Sequence, residues 1–279
     1  MQSTSLADDH ALLAHAGIDA SLPHREGLFR DGGWLRRVSR EPAVLFGGGC
    51  ALLLEVAHPL VAAGVAEHSD FRRDPFGRLQ RTLAAITALA LEPRDRALAA
   101  ARGVARAHEH VRGRLGEAVG PFAAGATYYG RDPDLVLWVW ATLVDTALAV
   151  YRDFVGPIEG AALAEYHRDQ RALALLLGAP ADRTPGDPDS FRRWFDGVLA
   201  SDTLTVSATA REIAGAVLDA PGVDRGPVPL ITAALLPARL RRDFGLAWDD
   251  ERQRRYREFA AGVRALRLAD APSLESTAR

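Results

Sequence analysis

Apolar residues recur at three- and four-residue spacing along nearly the whole chain, and alternating β-branched runs are scarce. Alanine and leucine, two strong helix formers, fill most of these positions. The pattern predicts helices at 5–16, 42–55, 58–67, 76–90, 93–115, 133–155, 158–177, 189–201, 206–219, 227–242 and 248–267. At Glu92–Pro93, Asp132–Pro133 and Asp187–Pro188 an acidic residue precedes a proline, a helix-entry signal, since proline at the first helical position gives up no needed N–H. The fold class is therefore all-α. Two stretches rich in Pro and Asp, Gly178–Asp189 and Ala220–Val228, are too short to force a domain split. The expected organisation is an N-terminal helical extension over 1–25, one helical domain over 26–270 and a frayed tail over 271–279.

One stretch breaks the pattern. From His58 to Thr82, directly after Leu52, Leu53, Leu54 and Val56, the chain carries two histidines, acid–arginine clusters and an RLQRT box. Polar groups set into apolar sequence are costly to bury unless partnered, so this density points to a site.

Composition narrows the chemistry. The 279 residues carry 34 basic and 36 acidic side chains, a net charge of -2, which argues against a nucleic-acid or polybasic membrane footprint. Every cation apart from histidine is arginine; lysine and asparagine are absent, which removes Schiff-base and lysine general-base mechanisms. The single cysteine, Cys50, excludes an intrachain disulfide, a c-type haem attachment motif and thiolate clusters. The N-terminus shows no cationic region followed by a long apolar run, and Glu55, His58, Pro59 and Asp145 interrupt the longest apolar segments. A soluble cytoplasmic protein without a membrane span is expected.

Ala101, Val104, His108, Val111 and Leu115 follow 3-4-3-4 spacing, one helical face, which turns His108 inward and His110 away. His108 then reads either as a hydrogen-bonded core histidine or as the single axial ligand that haem iron needs. In the RLQRT box, Arg78 and Thr82 share a helical face with Arg81 beside them. These residues either hold an anion such as a propionate or form a solvated arginine face. Asp145 lies in an otherwise apolar helix and needs a partner; an arginine from 72–81 is expected, in a structural or catalytic role. Glu55 and His58 form one E-x-x-H, whereas helical di-iron sites use two copies and further carboxylates. A nucleophile elbow is missing, and the Gly47–Gly49 run lacks the strand and the Lys-Ser/Thr of a phosphate loop, so it reads as a helix-entry turn or close helix packing.

The blocks REPAVLFGGGCALLLEVAHPLVAAGVAEHSDFRRDPFGRLQRT, AHEHVRG, DPDLVLWVWATLVDTAL and LLPARLRRDFGLAW resemble the MpaB/rubber-oxygenase (latex clearing protein) catalytic-domain family over roughly residues 26–260. The resemblance implies a globin-like multi-helix bundle enclosing a pocket for non-covalent haem b, with dioxygen and a small apolar, including unsaturated, substrate as partners. The family's axial histidine sits in H-x-x-V-x-G, which falls on His108, Val111 and Gly113. Its distal R-x-x-K/R-T box falls on Arg78, Arg81 and Thr82. The resemblance makes Arg78 and Thr82 distal-pocket or propionate-holding residues, Arg81 a residue that steers oxygen, substrate or propionate, and His58 and His68 hydrogen-bonding supports. The rubber oxygenase has lysine where Arg81 stands; arginine stays protonated and cannot offer a neutral amine to iron. Trp140 stands where the family often has histidine, the catalytic glutamate has no sequence match beyond the spatial candidate Glu67, and the missing export signal argues against extracellular polyisoprene. The alternatives are a haem-binding sensor or carrier, and a helical protein that has lost haem.

Overall fold

The computed structural model describes residues 3–69, 71, 75–218 and 226–270, with the side chains of 3–8, 75–80 and 268–270 outside the description. Its helices are α1 (Ser3–Ala16), α2 (Trp34–Ser39), α3 (Gly48–Ala57), α4 (Pro59–His68), α5 (Pro75–Leu91), α6 (Arg94–Glu109), α7 (Pro133–Phe154), α8 (Gly160–Leu176), α9 (Pro188–Ala200), α10 (Ala208–Leu218), α11 (Val228–Leu235), α12 (Ala238–Asp243) and α13 (Asp250–Asp270). A short antiparallel hairpin, β1 (Arg112–Arg114) and β2 (Thr127–Tyr129), joins α6 to α7.

The all-α expectation holds, with local departures that have physical causes. Residues 42–47 wind as a 3₁₀ turn before α3 begins. Leu236 and Pro237 divide the segment expected as one helix over 227–242, because proline cannot donate the next helical bond. The helix expected over 93–115 ends at Glu109, six residues early, where the chain turns into β1. Neither α2 nor the hairpin stands out in the periodicity, since each is too short to show a period.

α3 lies at the centre and touches α4, α7, α10 and α11. Leu53, Leu54, Val56 and Ala57 are essentially sealed from solvent, while Leu52 and Glu55 are half-buried, so most of the helix surface is apolar and enclosed. The glycine run explains how close the neighbours come. A side chain at Gly47 would meet Val150 of α7 at 3.0 Å, and one at Gly49 would collide with Thr232 of α11. The Gly47–Gly49 run is thus the entry turn into α3 and a close-packing device at once.

One apolar core extends from Leu13, Ala16 and Ile18 at the N-terminal side to Leu240 and Phe244, so α1 packs into the main body against α8. α7 is long and apolar enough to cross a membrane by length and composition, and half of that span is buried inside the fold, with Asp145 on its flank. Asp145 pairs with Arg192 of α9 at 2.7 Å; of the arginines expected for it, the side chains of Arg72, Arg73 and Arg78 lie outside the described residues. Its helix faces α9 at that level, where Trp138 stacks on Phe195 with ring centroids 5.5 Å apart.

Candidate functional site

α5 and α6 form an antiparallel helical hairpin turned by Glu92 and Pro93. The turn is bolted down by two buried arginines. Arg94 donates to the carbonyls of Ala20 (3.0 Å) and Leu22 (2.5 Å), and Arg36 donates to that of Leu91 at 3.1 Å. His108 lies in the last turn of α6, at the end away from Pro93, and the first turns of α5 lie at the end away from Glu92. Those turns carry the RLQRT box.

The last turn of α6 is pinned from below. The Val111 amide donates to the His108 carbonyl at 3.1 Å, and the Gly130 amide to the Val111 carbonyl at 2.7 Å. Gly130 has to be glycine for this approach: a Cβ there would sit 2.8 Å from Val111 Cβ and 2.9 Å from the His108 carbonyl oxygen. Val111 in turn lies over Gly64 of α4, whose Cβ would stand 3.3 Å from Val111 Cγ1. The valine of H-x-x-V-x-G is therefore a wedge between α4 and the hairpin, and not part of a continuing helical stripe.

His108 differs from the sequence expectation in its surroundings. The residue is exposed, since the helix ends beside it and the stripe it was to share stops at Val104. Protein crowds the ring nonetheless: desolvation, followed by the charge of Arg131, pushes its pKa down. The imidazole thus faces outward from the end of α6, within reach of the Arg131 charge. It is neutral at physiological pH, the form that can ligate a metal.

Next to it, β2 and α4 meet in a polar cluster. Tyr128, itself buried, donates its hydroxyl to Glu67 Oε2 at 2.5 Å. His68 Nε2 lies 3.1 Å from the Arg112 carbonyl and 3.3 Å from the Tyr128 hydroxyl. A carbonyl only accepts, so Nε2 carries the proton. Gly113 makes room: a Cβ there would lie 2.6 Å from Tyr128 Cζ and 2.8 Å from Glu67 Oε2. Burial, with help from Glu67, drives the tyrosine pKa upward, so its proton stays in this bond. Sequence reasoning named Glu67 and His68 but missed Tyr128, which sits in a three-residue strand with no periodic signal.

His58 plays a helix-terminal part. It is the N-cap of α4, with its Nδ1 accepting from the Leu60 amide at 3.3 Å and Pro59 in the first helical position. The ring tilts against Phe122 at 5.1 Å, and burial lowers its pKa to about 4. It is neutral, with its proton on Nε2. Among the described residues no group of three or more His, Cys, Asp or Glu gathers to hold a metal ion.

Arg81 and Thr82 are exposed on the first half of α5, while the side chain of Arg78 lies outside the described residues. Trp140 is buried on the far side of α7, edge-on to His167 at 6.1 Å and to Phe191 at 5.5 Å. Cys50 is buried, and its thiol is pushed up to about 12 by desolvation, so it offers no thiolate. Two cavities stand out, one beside Glu165 and one beside Tyr256; neither is lined by His108.

The architecture is that of an all-α domain with one β-hairpin, which fastens a recessed neutral histidine beside a tyrosine–carboxylate pair. Residues 35–265 match the family described as ER-bound oxygenase mpaB/B'/Rubber oxygenase, catalytic domain. The chain belongs to this family of oxygenase catalytic domains. No curated protein and no solved structure matches the chain.

Proposed function

We propose that the protein is a haem b-dependent oxygenase acting on a small apolar substrate, with His108 as the iron ligand and the helices arranged as a globin-like bundle around the haem. The supporting observation is His108 itself: a neutral, exposed imidazole in the last turn of α6, inside the matched family region. One histidine suffices for porphyrin iron, and the buried, protonated Cys50 does not compete. When bound, the haem would supply activation of dioxygen.

The chain's own residues supply ligation, charge and proton handling. Arg78 and Thr82 hold propionates or line the distal side. Arg81 stays protonated and steers an anion, dioxygen or substrate, and it cannot serve as a base. Proton acceptance falls to Glu67, a carboxylate whose position Tyr128 fixes. Gly113 leaves room for Tyr128 and Glu67, and Gly130 for the close approach to the His108 carbonyl.

The test is titration of the purified chain with hemin, followed by absorption spectroscopy, for the wild type and His108→Ala. The wild type should give a saturable 1:1 Soret change, and the variant should lose the histidine-ligated spectrum and recover it with added imidazole. Equal binding with an identical spectrum in the variant would remove His108 as ligand. Substrate-independent haem binding with no oxygen uptake would mark a sensor or carrier instead.

A further inference from the structure

Away from the α6 end, a cavity of about 480 Å³ opens between α8 and the loop joining α1 to α2. That volume falls within the roughly 300–1,000 Å³ of small-molecule sites. Its floor is apolar: Leu28 and Phe29 are 2% and 5% exposed, and Ile18 lies beside them. Glu165 and Asp169, one turn apart on α8, share the face that lines it.

The wall's charges do not cancel. Asp19, Glu165 and Asp169 face two cations, Arg30 and Arg168, leaving one excess negative charge. Asp19 is satisfied locally by the amide and hydroxyl of Ser21, at 2.9 and 2.6 Å. Arg168 is engaged by Asp169 Oδ1 at 3.1 Å, and Glu165 Oε1 accepts from the Trp34 amide at 3.1 Å. Asp169 is only 15% exposed, and two carboxylates one turn apart repel. Desolvation pushes the Asp169 carboxyl up and Glu165 adds to the shift, while Arg168 and Arg30 oppose it without cancelling it. A cation brought to this pair relieves both the repulsion and the lost hydration. No third carboxylate or histidine joins the pair in a metal-holding group among the described residues, and the floor offers hydrocarbon rather than oxygen ligands.

We propose that this cavity binds an amphipathic organic monocation, its head group against Glu165 and Asp169 and its hydrocarbon part on Ile18, Leu28 and Phe29. The site is separate from His108 and does not depend on haem.

Isothermal titration of the full chain with octyltrimethylammonium, octanoate and octanol tests it, because these probes share a chain and differ in head charge. The quaternary ammonium has no lone pair and cannot ligate iron. One saturable site for the cation is expected, at least tenfold tighter than for either of the other probes. Glu165→Gln with Asp169→Asn should weaken the cation at least tenfold. Ala172→Leu, which fills the floor and keeps every charge, should weaken it as well, so the result does not hang on one variant folding. Absence of saturable cation binding, equal affinity for octanol or octanoate, or cation binding unchanged by either variant would each overturn the proposal.

Discussion

Tyr128 on β2 donates its hydroxyl proton to Glu67 at the end of α4, across 2.5 Å. This bond ties a three-residue strand to a helix that begins eleven residues after the start of the central one. Tyr128→Phe keeps the ring and removes only the hydroxyl. A hydrogen bond to a charged group contributes about 1.5–3 kcal/mol when buried, and Glu67 is exposed, so a loss of about 1 kcal/mol is expected. Urea denaturation should show a lower midpoint at unchanged slope. No change in midpoint would mean that the bond is not populated in solution.

Gly113 faces the same pair. An alanine there would place a methyl group 2.6 Å from Tyr128 Cζ and 2.8 Å from Glu67 Oε2, well inside van der Waals contact. Overpacking of this kind costs about 1–3 kcal/mol. Gly113→Ala should destabilise the chain more than Gly116→Ala, where an added Cβ meets nothing within 4 Å. Thermal unfolding of the two variants side by side decides it.

Two buried histidines predict loss of stability on acidification. His58 is held neutral by burial, with its pKa lowered from 6.5 to about 4. His167 is 1% exposed, neither ring nitrogen has a protein partner, and its pKa is lowered by desolvation, with Arg171 reinforcing the shift and Asp187 opposing it. For a folded pKa below the unfolded one, the unfolded chain takes up protons first as pH falls. The stabilisation from neutral burial is therefore complete above about pH 6.5 and declines below it, for His58 until about pH 4. His58 alone accounts for a decline on the order of 3 kcal/mol. In His167→Phe the acid limb of stability against pH should become shallower. An identical slope in the variant would show that His167 does not titrate on unfolding.

Arg192 bridges α9 to Asp145 of α7 at 2.7 Å, and its guanidinium lies 4.9 Å over the Phe195 ring. Burial already pushes the Asp145 carboxyl up, so removing the cation leaves a poorly hydrated charge. Arg192→Met, which preserves the hydrocarbon stem, should destabilise more than Asp145→Asn. A double-mutant cycle should return a coupling of about 1 kcal/mol. Zero coupling would reduce the pair to an incidental surface contact.

Cys50 should be silent toward an aromatic disulfide reagent in the native protein and react fully after denaturation. The thiol is sealed in α3 and held at about 12, so almost no thiolate forms at pH 8. Rapid reaction of the folded chain would show that the central helix opens.

The helical character, the bounds of most long helices and the packing role of Gly47–Gly49 are all legible in the sequence. Each depends on local propensity or on periodic residues a few positions apart, and the sequence displays those directly. The H-x-x-V-x-G pattern and the RLQRT box likewise pick out the family and the segments around the site. Only the tertiary structure decides which groups meet. It ends α6 at Glu109, turns His108 outward, makes His58 a helix cap, gives Asp145 to Arg192 and brings Tyr128 to Glu67 across 61 positions of chain. These outcomes rest on close approach between distant segments, set by glycines that admit a neighbour and by a hairpin too short to leave a period. A pattern of polar and apolar residues records which side of an element is buried, and contains no record of what lies across from it.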